Sequence, residues 1–373
     1  MRVRYISSFL DRSGYGSAAR DYIRAILRTK KVNLTLKAVS FEQEKTSHGL
    51  FHEETEGLLN KELDAPIQII HLTPDNFPLH RLKSTYNIGY TVWETDVLPP
   101  GWVNYLNQMD EIWTPSQWNV EIFKNNGVTR PIFCIPHTFE DGRFSNNIAP
   151  ESIADGKFLF YSIFQWIERK GPLPLLKAYF TEFKRSDNVI LALKTYRLDN
   201  SEKERHAIRE QIKLIKRSLN LSDYPPVLFF GDVMTYEQVQ SLHKRGDCFV
   251  MTTRGEAFGI PYAESMGYGN PTIGTGFGGN LEFMNNKNSY LIDYQMTPVS
   301  GMLFNNYHGH MTWADPSVMH TRKLMREVFE NPEAAKVKGL LGRQTILEDL
   351  SYEKIGGLIV KRLETICKEK GIK

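Results

Sequence analysis

The chain has 373 residues, of which 41% are hydrophobic and 24% are charged, with a formal net charge of +3. No apolar run approaches the roughly 18 residues that a membrane span needs, and the first residues, MRVRYISSFLDRSG, lack the apolar core of a secretory signal. The three cysteines lie far apart and form neither a metal-spaced pair nor a disulfide framework. These features predict a reduced, cytoplasmic globular protein with two domains.

The first half of the chain alternates predicted strands with predicted helices. An apolar strand, VRYISSF, precedes a glycine loop and a helix in DRSGYGSAARDYIRAIL, where apolar residues recur at helical spacing. Further strands are predicted at APIQIIHL, NIGYTVWE, DEIWTP and RPIFCIP. One helix is expected to begin near Pro99 or Pro100, and another to run from a Ser116 cap to Gly127. This alternation predicts a parallel sheet with helices on both faces.

A polar linker around residues 140–156 separates this half from a second alternation. Its strands are predicted at KFLFYSIF, NVILALKTY, PPVLFFGD and CFVMTT, and a long helix is expected to start at a capping box of Ser201 and Glu204. We therefore predict an α/β protein of two doubly wound domains, residues 1–150 and 151–345, that face each other across a ligand cleft. A closing helix within residues 346–373 is expected to pack back on the first domain.

Two carboxylates stand seven residues apart in RGEAFGIPYAESMGYGNP. Glu256 lies on the loop after the strand CFVMTT, and Glu264 lies one turn into a helix for which Pro261 is a suitable first residue. The free N–H groups at that helix start form an anion site. Carboxylates on either side of a bound diphosphate would accept hydrogen bonds from sugar hydroxyls.

This stretch resembles the signature of the retaining glycosyltransferases of family four, which have the two-domain GT-B fold with Rossmann-like domains. In that family a GG-N-x-E segment follows the Glu-x7-Glu motif, and it is matched here by Gly278, Gly279, Asn280 and Glu282. The resemblance implies that Glu256 holds hydroxyls of the donor sugar and that Glu264 holds the ribose hydroxyls. It also implies that the backbone amides near Phe258, Gly259 and Ile260 bind the diphosphate.

Two further segments of the second domain resemble the same family. FQWIERKGPLPLLKAYF is similar to its strand, loop and helix with a phosphate-binding lysine, here Lys170. The family usually has an arginine five positions earlier, where this chain has Gln165, so Arg169 becomes the candidate second phosphate partner. LFFGDVMTYEQVQ is similar to the segment whose backbone binds the nucleotide base, near Asp232 and Val233.

In the first domain, SGYGSAARDYIRAIL resembles the family's glycine loop, so Gly14 and Gly16 are candidates for close approach to the diphosphate. His71 ends a predicted strand, at a place where the family keeps a histidine close to the donor sugar. A structural histidine in the core is the alternative interpretation of His71.

YTVWETDVLPPGWVNYLNQMDEIWTPSQWN resembles an acceptor-side segment of some of these enzymes, which suggests Trp93 and Glu94, with Asp75 nearby, as acceptor-pocket residues. A packed tryptophan beside a solvated acid explains the first two residues as well. His308 and His310 have a spacing compatible with a metal site, but no carboxylate or cysteine partner accompanies them, so we interpret them as loop residues.

The resemblance implies a retaining hexosyltransferase that moves a sugar from a UDP- or GDP-linked donor to an acceptor hydroxyl, with catalytic candidates Glu256, Lys170 and His71. No metal or other cofactor is expected, because Lys170 and backbone amides can neutralise the diphosphate. Surface glycan or lipopolysaccharide synthesis is the expected role, in the cytoplasm or at the inner face of the membrane, with a glycan or lipid-linked glycan as acceptor. The alternatives are transfer to a hydroxylated DNA base and a non-catalytic module that binds nucleotide sugars or glycans.

Overall fold

The computed structural model describes residues 1–41, 49–144, 148–154, 156–300 and 306–372. The chain divides into two compact units. Unit 1 comprises Met1–Arg143, Ser300–Met311 and Leu347–Lys373, and unit 2 comprises Phe144–Val299 and Thr312–Ile346. This division differs from the predicted boundaries at residues 150 and 345 by a few residues, and it adds Ser300–Met311 to unit 1, which the sequence did not predict.

Unit 1 contains a parallel sheet whose strands are connected by helices. Its strands are β1 (Arg2–Ser7), β2 (Asn33–Ala38), β3 (Ile67–His71), β4 (Tyr86–Tyr90), β5 (Glu111–Thr114) and β6 (Ile132–Cys134). Their order across the sheet is β2-β1-β3-β4-β5-β6. Every residue of β3 is buried, as expected for a central strand that has helices on both faces. The strand β2 is the one element of this sheet that the sequence analysis did not assign.

The first and the last of the following five helices of unit 1 begin at a serine that caps them. The five helices are α1 (Gly14–Arg28), α2 (Gly49–Thr55), α3 (Phe77–His80), α4 (Trp102–Asn107) and α5 (Gln117–Asn125). Ser13 caps α1 by accepting a hydrogen bond from the Gly16 amide, and Ser116 caps α5 in the same way from the Asn119 amide.

Unit 2 repeats the architecture with a second parallel sheet. Its strands are β7 (Phe158–Gln165), β8 (Val189–Tyr196), β9 (Val227–Phe230), β10 (Cys248–Met251), β11 (Thr272–Thr275) and β12 (Tyr290–Ile292). Their order is β12-β11-β10-β7-β8-β9. An antiparallel hairpin of β13 (Tyr294–Pro298) and β14 (Thr312–Pro316) follows, and the segment that connects its two strands includes the residues of unit 1 around 306–311.

The helices that follow these strands are α6 (Pro172–Glu182), α7 (Glu202–Leu219), α8 (Tyr236–Arg245), α9 (Ile260–Gly267), α10 (Val318–Glu330) and α11 (Pro332–Asp349). Ser201 caps α7 as predicted. The Glu204 carboxylate does not complete the predicted capping box, because it forms an ion pair with Arg197 at 2.8 Å. Within the described ranges, no helix is long and apolar enough to span a bilayer.

The last helix, α12 (Tyr352–Lys370), belongs to unit 1. It lies so close to α1 that a Cβ atom at Gly356 would stand 2.6 Å from the Ala25 carbonyl oxygen. Arg362 of α12 binds the fully buried Glu111 carboxylate at 2.6 Å, and Trp113 donates a hydrogen bond to the same carboxylate. A buried charge that is both paired and hydrogen-bonded fixes α12 against the sheet.

Candidate functional site

In each sheet, the chain places later strands on both sides of the strand that comes first in the sequence, so the strand order reverses there. In unit 1, β1 lies between β2 and β3, and in unit 2, β7 lies between β8 and β10. Ligands of open α/β sheets bind at such a reversal, outside the carboxyl ends of the strands. Ligand-binding loops are therefore expected after β1 and β3 in unit 1, and after β7 and β10 in unit 2.

In unit 2, the two loops bring three predicted site residues together. The Lys170 Nζ atom lies 2.5 Å from Glu256 Oε1, and the Arg169 Nη1 atom lies 3.6 Å from the same oxygen. The Thr253 hydroxyl donates a third contact to this oxygen at 3.0 Å. Because Glu256 is only 5% exposed, its carboxylate depends on these partners rather than on water.

The charge of Glu256 is set by two opposing effects. Burial by itself raises the pKa of this carboxyl group, but the nearby charges of Lys170 and Arg169 outweigh burial, and the net effect lowers the pKa below its ordinary value. Glu256 is therefore ionised at neutral pH. A buried anion and a partly buried cation thus lie side by side at the edge of the unit 2 sheet, where a ligand can compete for either.

Backbone contacts hold the two loops in place. The Arg254 amide donates to the Arg169 carbonyl oxygen at 2.6 Å, and the Thr252 hydroxyl donates to the Gly171 carbonyl oxygen at 2.7 Å. Gly171 has a φ of +68°, and a Cβ atom there would overlap the Thr252 carbonyl oxygen. The glycine after Lys170 is thus required by the close approach of the loops.

The start of α9 and the GGN segment support Glu256 from the other side. Gly259 caps α9 with a φ of +93°, and the helix begins at Ile260, one residue before the predicted start at Pro261. The Gly279 amide donates to the Glu256 carbonyl oxygen at 2.6 Å. A Cβ atom at Gly278, whose φ is +97°, would stand 2.8 Å from that oxygen. These glycines therefore fix the backbone that carries the Glu256 side chain.

The remaining predicted residues of unit 2 surround this cluster more loosely. Phe258 is buried and its ring packs against Phe283 at 4.9 Å, while Glu264 is half-buried on α9. Asp232 forms an ion pair with Arg205 of α7, and Val233 is 56% exposed. The roles of the backbone near Asp232 and Val233 in base binding, and of Glu264 in ribose binding, stay predictions.

In unit 1, packing alone explains one glycine of the loop after β1. A Cβ atom at Gly16 would overlap the Asp11 carbonyl oxygen, whereas the space beside Gly14 is open. Arg20 donates to the carbonyl oxygens of Phe9 and Asp11 at 2.9 and 2.8 Å, which secures the loop further. The approach of Gly14 and Gly16 to a diphosphate stays a prediction.

His71 is the last residue of β3 and is 1% exposed. Its Nδ1 atom lies 2.8 Å from the Tyr5 hydroxyl, and its ring contacts those of Tyr15, Tyr22 and Tyr90. Burial, together with the charge of the nearby His137, lowers the pKa of His71 well below its ordinary value. His71 is therefore neutral. The ring of Tyr15, a half-buried residue, lies 5.4 Å from the His71 ring.

Two of the predicted acceptor residues, Trp93 and Glu94, lie in a packed environment. Trp93 is buried, and its indole N–H donates to the Thr95 hydroxyl and the Val97 carbonyl oxygen, each at 2.7 Å. Tyr307 stacks on the Trp93 ring with centroids 5.1 Å apart, and its hydroxyl donates to Glu94 at 3.0 Å.

Asp75 is exposed and accepts a hydrogen bond from Asn76. Acceptor binding by Trp93, Glu94 and Asp75 stays a prediction. No sequence signal identified Tyr307, because its contacts lie 213 residues away.

His308 and His310 follow Tyr307 on the same segment. Their rings stack with centroids 5.7 Å apart, and both side chains are at least partly exposed. In the part of the chain that the structure describes, no group of three or more histidine, cysteine, aspartate or glutamate residues is placed to hold a metal ion.

Comparison with known proteins gives one family match. Residues 144–296 match the family model described as glycosyl transferases group 1. That stretch lies within unit 2 and contains Lys170 and Glu256. A curated relative, uncharacterized protein 356 of Sulfolobus islandicus rod-shaped virus 1, is 22% identical over 183 residues, which is 49% of this chain and 49% of that protein. The match thus spans about half the length of this relative.

Solved structures match over almost the whole chain. HepE of Anabaena, in complex with UDP-glucose, has a TM-score of 0.68 at 14% identity and covers 98% of this chain and 100% of its own. Sucrose-phosphate synthase of Thermosynechococcus elongatus has a TM-score of 0.70 at 13% identity, with 99% and 100% covered. The predicted fold, GT-B with two Rossmann-like units, is confirmed. The family match thus lies in unit 2, while the likeness to solved structures extends over both units and concerns the fold.

Proposed function

We propose that this chain is a retaining glycosyltransferase that moves a sugar from a UDP- or GDP-linked donor to an acceptor hydroxyl. The observation that carries the proposal is the buried Glu256 carboxylate, which Lys170 contacts at 2.5 Å within the stretch that matches glycosyl transferases group 1. The same conclusion is supported by the position of this pair. It lies where the strand order of the unit 2 sheet reverses, which is where α/β proteins bind ligands.

Lys170 is the group proposed to stabilise the leaving diphosphate. Its side chain is 13% exposed, so its positive charge acts in a partly desolvated place, where electrostatic stabilisation is stronger than in water. The backbone amides at the start of α9 would add donors to the phosphate oxygens. Without a ligand, Glu256 neutralises Lys170, and a bound donor would share the ammonium group with it.

Glu256 is the proposed ligand of the donor sugar. Among the described residues, its recorded side-chain contacts with Lys170, Arg169 and Thr253 all fall on Oε1. Its Oε2 atom is therefore the one that would accept a hydrogen bond from a sugar hydroxyl. Glu264, one turn into α9, would take the ribose hydroxyls in the same way.

The proposed reaction keeps the configuration of the donor sugar. The bond between the sugar carbon and the diphosphate oxygen breaks, and the acceptor oxygen bonds to that carbon on the same face. The acceptor proton passes to the departing phosphate oxygen, so no side chain acts as a nucleophile and no metal is required. His71 is proposed to lie near the donor sugar, and the acceptor is proposed to be a surface glycan, a lipopolysaccharide precursor or a lipid-linked glycan.

A donor screen tests this function. The protein is melted in the presence of UDP, GDP and their sugars, because a ligand of the native state raises the apparent stability. Donors that shift the melting temperature are then incubated with glycan, lipid-linked and hydroxymethylated DNA acceptors, and products are identified by mass spectrometry and by the anomeric coupling in NMR spectra. We expect transfer with retention. Binding without transfer or hydrolysis would favour a non-catalytic module, and no binding of any nucleotide would contradict the proposal.

A further inference from the structure

Tyr5 and His71 form a buried pair on neighbouring strands of unit 1. The Tyr5 side chain is on β1, and His71 is the last residue of β3, which pairs with β1. The Tyr5 hydroxyl lies 2.8 Å from His71 Nδ1, and the two residues are 2% and 1% exposed. This distance is that of a hydrogen bond, in which one of the two groups donates and the other accepts.

The direction of that hydrogen bond follows from the needs of the phenol. Among the described residues, the recorded hydrogen bond of the Tyr5 hydroxyl is the one to His71. If Nδ1 were the donor, the buried Tyr5 O–H would be left without an acceptor, which is unfavourable. Tyr5 therefore donates and Nδ1 accepts. A neutral imidazole has one donor and one acceptor nitrogen, so the proton of His71 is on Nε2.

The surroundings of His71 keep it in this neutral form. The titratable groups around it are the phenols of Tyr5, Tyr15, Tyr22 and Tyr90 and the imidazole of His137. No carboxylate has a recorded interaction with His71 among the described residues. A second proton on His71 would place an unpaired charge inside this aromatic cluster.

We propose that Tyr5 is a positioning residue that holds His71 with its proton on Nε2, so that His71 acts in sugar transfer as a hydrogen-bond donor to a ligand oxygen and not as a general base. The activity of His71 in this proposal rests on the proposed function. The protonation state that Tyr5 imposes does not rest on it, and it can be measured without any substrate.

The first experiment reads the proton position directly. Protein labelled with 15N-histidine is studied by long-range proton–nitrogen correlation spectra, with the His71 signals assigned by their loss in His71→Gln. We expect a protonated Nε2 and an unprotonated Nδ1 from pH 8 down to at least about pH 6, the ordinary titration range of histidine. Tyr5→Phe should give a mixture of tautomers. Tyr22→Phe, which removes a phenol that binds Tyr90 and the Ile135 carbonyl oxygen instead, should leave the pattern unchanged.

The second experiment uses side-chain amides that imitate one nitrogen each. The amide of His71→Gln reaches the position of Nε2 and can donate there, whereas the amide of His71→Asn reaches only the position of Nδ1. We expect His71→Gln to keep transfer within roughly tenfold of wild type and His71→Asn to lose on the order of 100-fold in kcat, the size of one lost donor. Tyr5→Phe should lower kcat by roughly tenfold without a new ionisation in its pH profile.

The two experiments separate the possible failures. A proton on Nδ1 in the wild-type spectra, or equal loss of kcat in His71→Gln and His71→Asn when both are folded, would overturn the proposal. If no donor is turned over by the wild-type protein, the proposed function fails, while the spectra of Tyr5→Phe still decide whether Tyr5 sets the tautomer.

Discussion

The carboxyl edges of the two sheets have the same strand reversal but opposite chemistry. In unit 2 the loops after β7 and β10 bury an ion pair, Lys170 with Glu256, and Arg169 lies beside it. In unit 1, Tyr5 of β1 and His71, the last residue of the neighbouring β3, form a neutral pair that is joined by a hydrogen bond. The same fold therefore places charge where we propose that a diphosphate binds, and it keeps a histidine uncharged in the other unit.

The largest effect that tests this contrast is expected for Lys170→Met. Loss of the ammonium group should lower transfer by about 100- to 1,000-fold, because it removes the main charge proposed for the leaving group. It also leaves Glu256 buried with Arg169 as its remaining cation, so we expect unit 2 to lose about 2 kcal/mol of unfolding free energy. Steady-state kinetics and urea unfolding measure the two effects.

The double variant Lys170→Met, Glu256→Gln sharpens the result. Removing the carboxylate charge should restore most of the stability, while activity stays low because both groups are proposed to contact the donor. Lys184→Ala, an exposed lysine of the same unit, is the matched control and should behave as wild type. Full activity in Lys170→Met would contradict the assignment of the site.

The next largest effect concerns the backbone of the charged edge. Gly171→Ala should destabilise unit 2 by about 3 kcal/mol, because it adds a left-handed alanine and a clash with the Thr252 carbonyl oxygen. Gly357→Ala in α12, where a Cβ atom meets nothing within 4 Å, should instead stabilise the protein by up to about 1 kcal/mol. Equal melting temperatures for the two variants would show that the loops of unit 2 are not held as described.

Acid should weaken unit 1 more steeply than unit 2. Burial lowers the pKa of His137 to about 3. Between pH 6.5 and 3 the unfolded chain therefore binds a proton at His137 that the native state does not, and the free energy of unfolding decreases as the pH decreases. One such histidine costs about 1.4 kcal/mol per pH unit. Among the described residues, unit 1 buries His71 and His137, and unit 2 buries His243.

Glu256 adds nothing to this slope between pH 6.5 and 5, because its carboxyl group is ionised there in both the folded and the unfolded chain. Below the ordinary carboxyl pKa the unfolded chain takes up a proton that the folded chain, with its lowered pKa, does not, so the stabilisation by this charge is lost as the pH falls further. His137→Asn should therefore reduce the slope of unit 1 by one proton between pH 6.5 and 5. Urea unfolding at several pH values, followed by hydrogen exchange in peptides from β3 and β10, measures each unit separately. An unchanged slope in His137→Asn would mean that His137 is not buried in its neutral form.

The smallest effect is expected at Tyr307. Tyr307→Phe removes one hydrogen bond to Glu94 and should cost less than about 1 kcal/mol, whereas Tyr307→Ala also uncovers Trp93 and loses a further stacking energy of about 1 kcal/mol. Thermal unfolding measures the stability of both variants. Comparing the fluorescence of Tyr307→Ala with that of Tyr307→Ala in a Trp93→Phe background isolates the emission of Trp93. If neither variant alters stability or fluorescence, the stacked pair does not form in solution.

The charged edge could be predicted from the sequence because its signals are local. A glycine after Lys170, a proline at the start of α9 and two acids seven residues apart each specify a short piece of backbone. Placing those pieces at the ends of β7 and β10 then needs only the alternation of strands and helices. The role of Gly278 and Gly279 in holding the Glu256 backbone became apparent only in three dimensions.

The neutral edge could not be predicted in this way. Tyr5 and His71 are 66 residues apart, and nothing in the short apolar strand around Tyr5 distinguishes its hydroxyl from that of a core tyrosine. Strands β13 and β14 were also missed, because β13 is largely exposed and its residues, YQMTP, lack apolar alternation. Long-range pairing and exposed hairpins leave little trace in local periodicity.

The composition of unit 1 has a consequence for biosynthesis. Because α12 belongs to unit 1, the whole of unit 2 is translated before the last segment of unit 1. Nascent chains usually finish their N-terminal domain first, but here Arg362 must be translated before Glu111 can be neutralised in its buried position. Unit 1 therefore reaches its final packing only after α12, which follows all of unit 2 in the chain, has been translated.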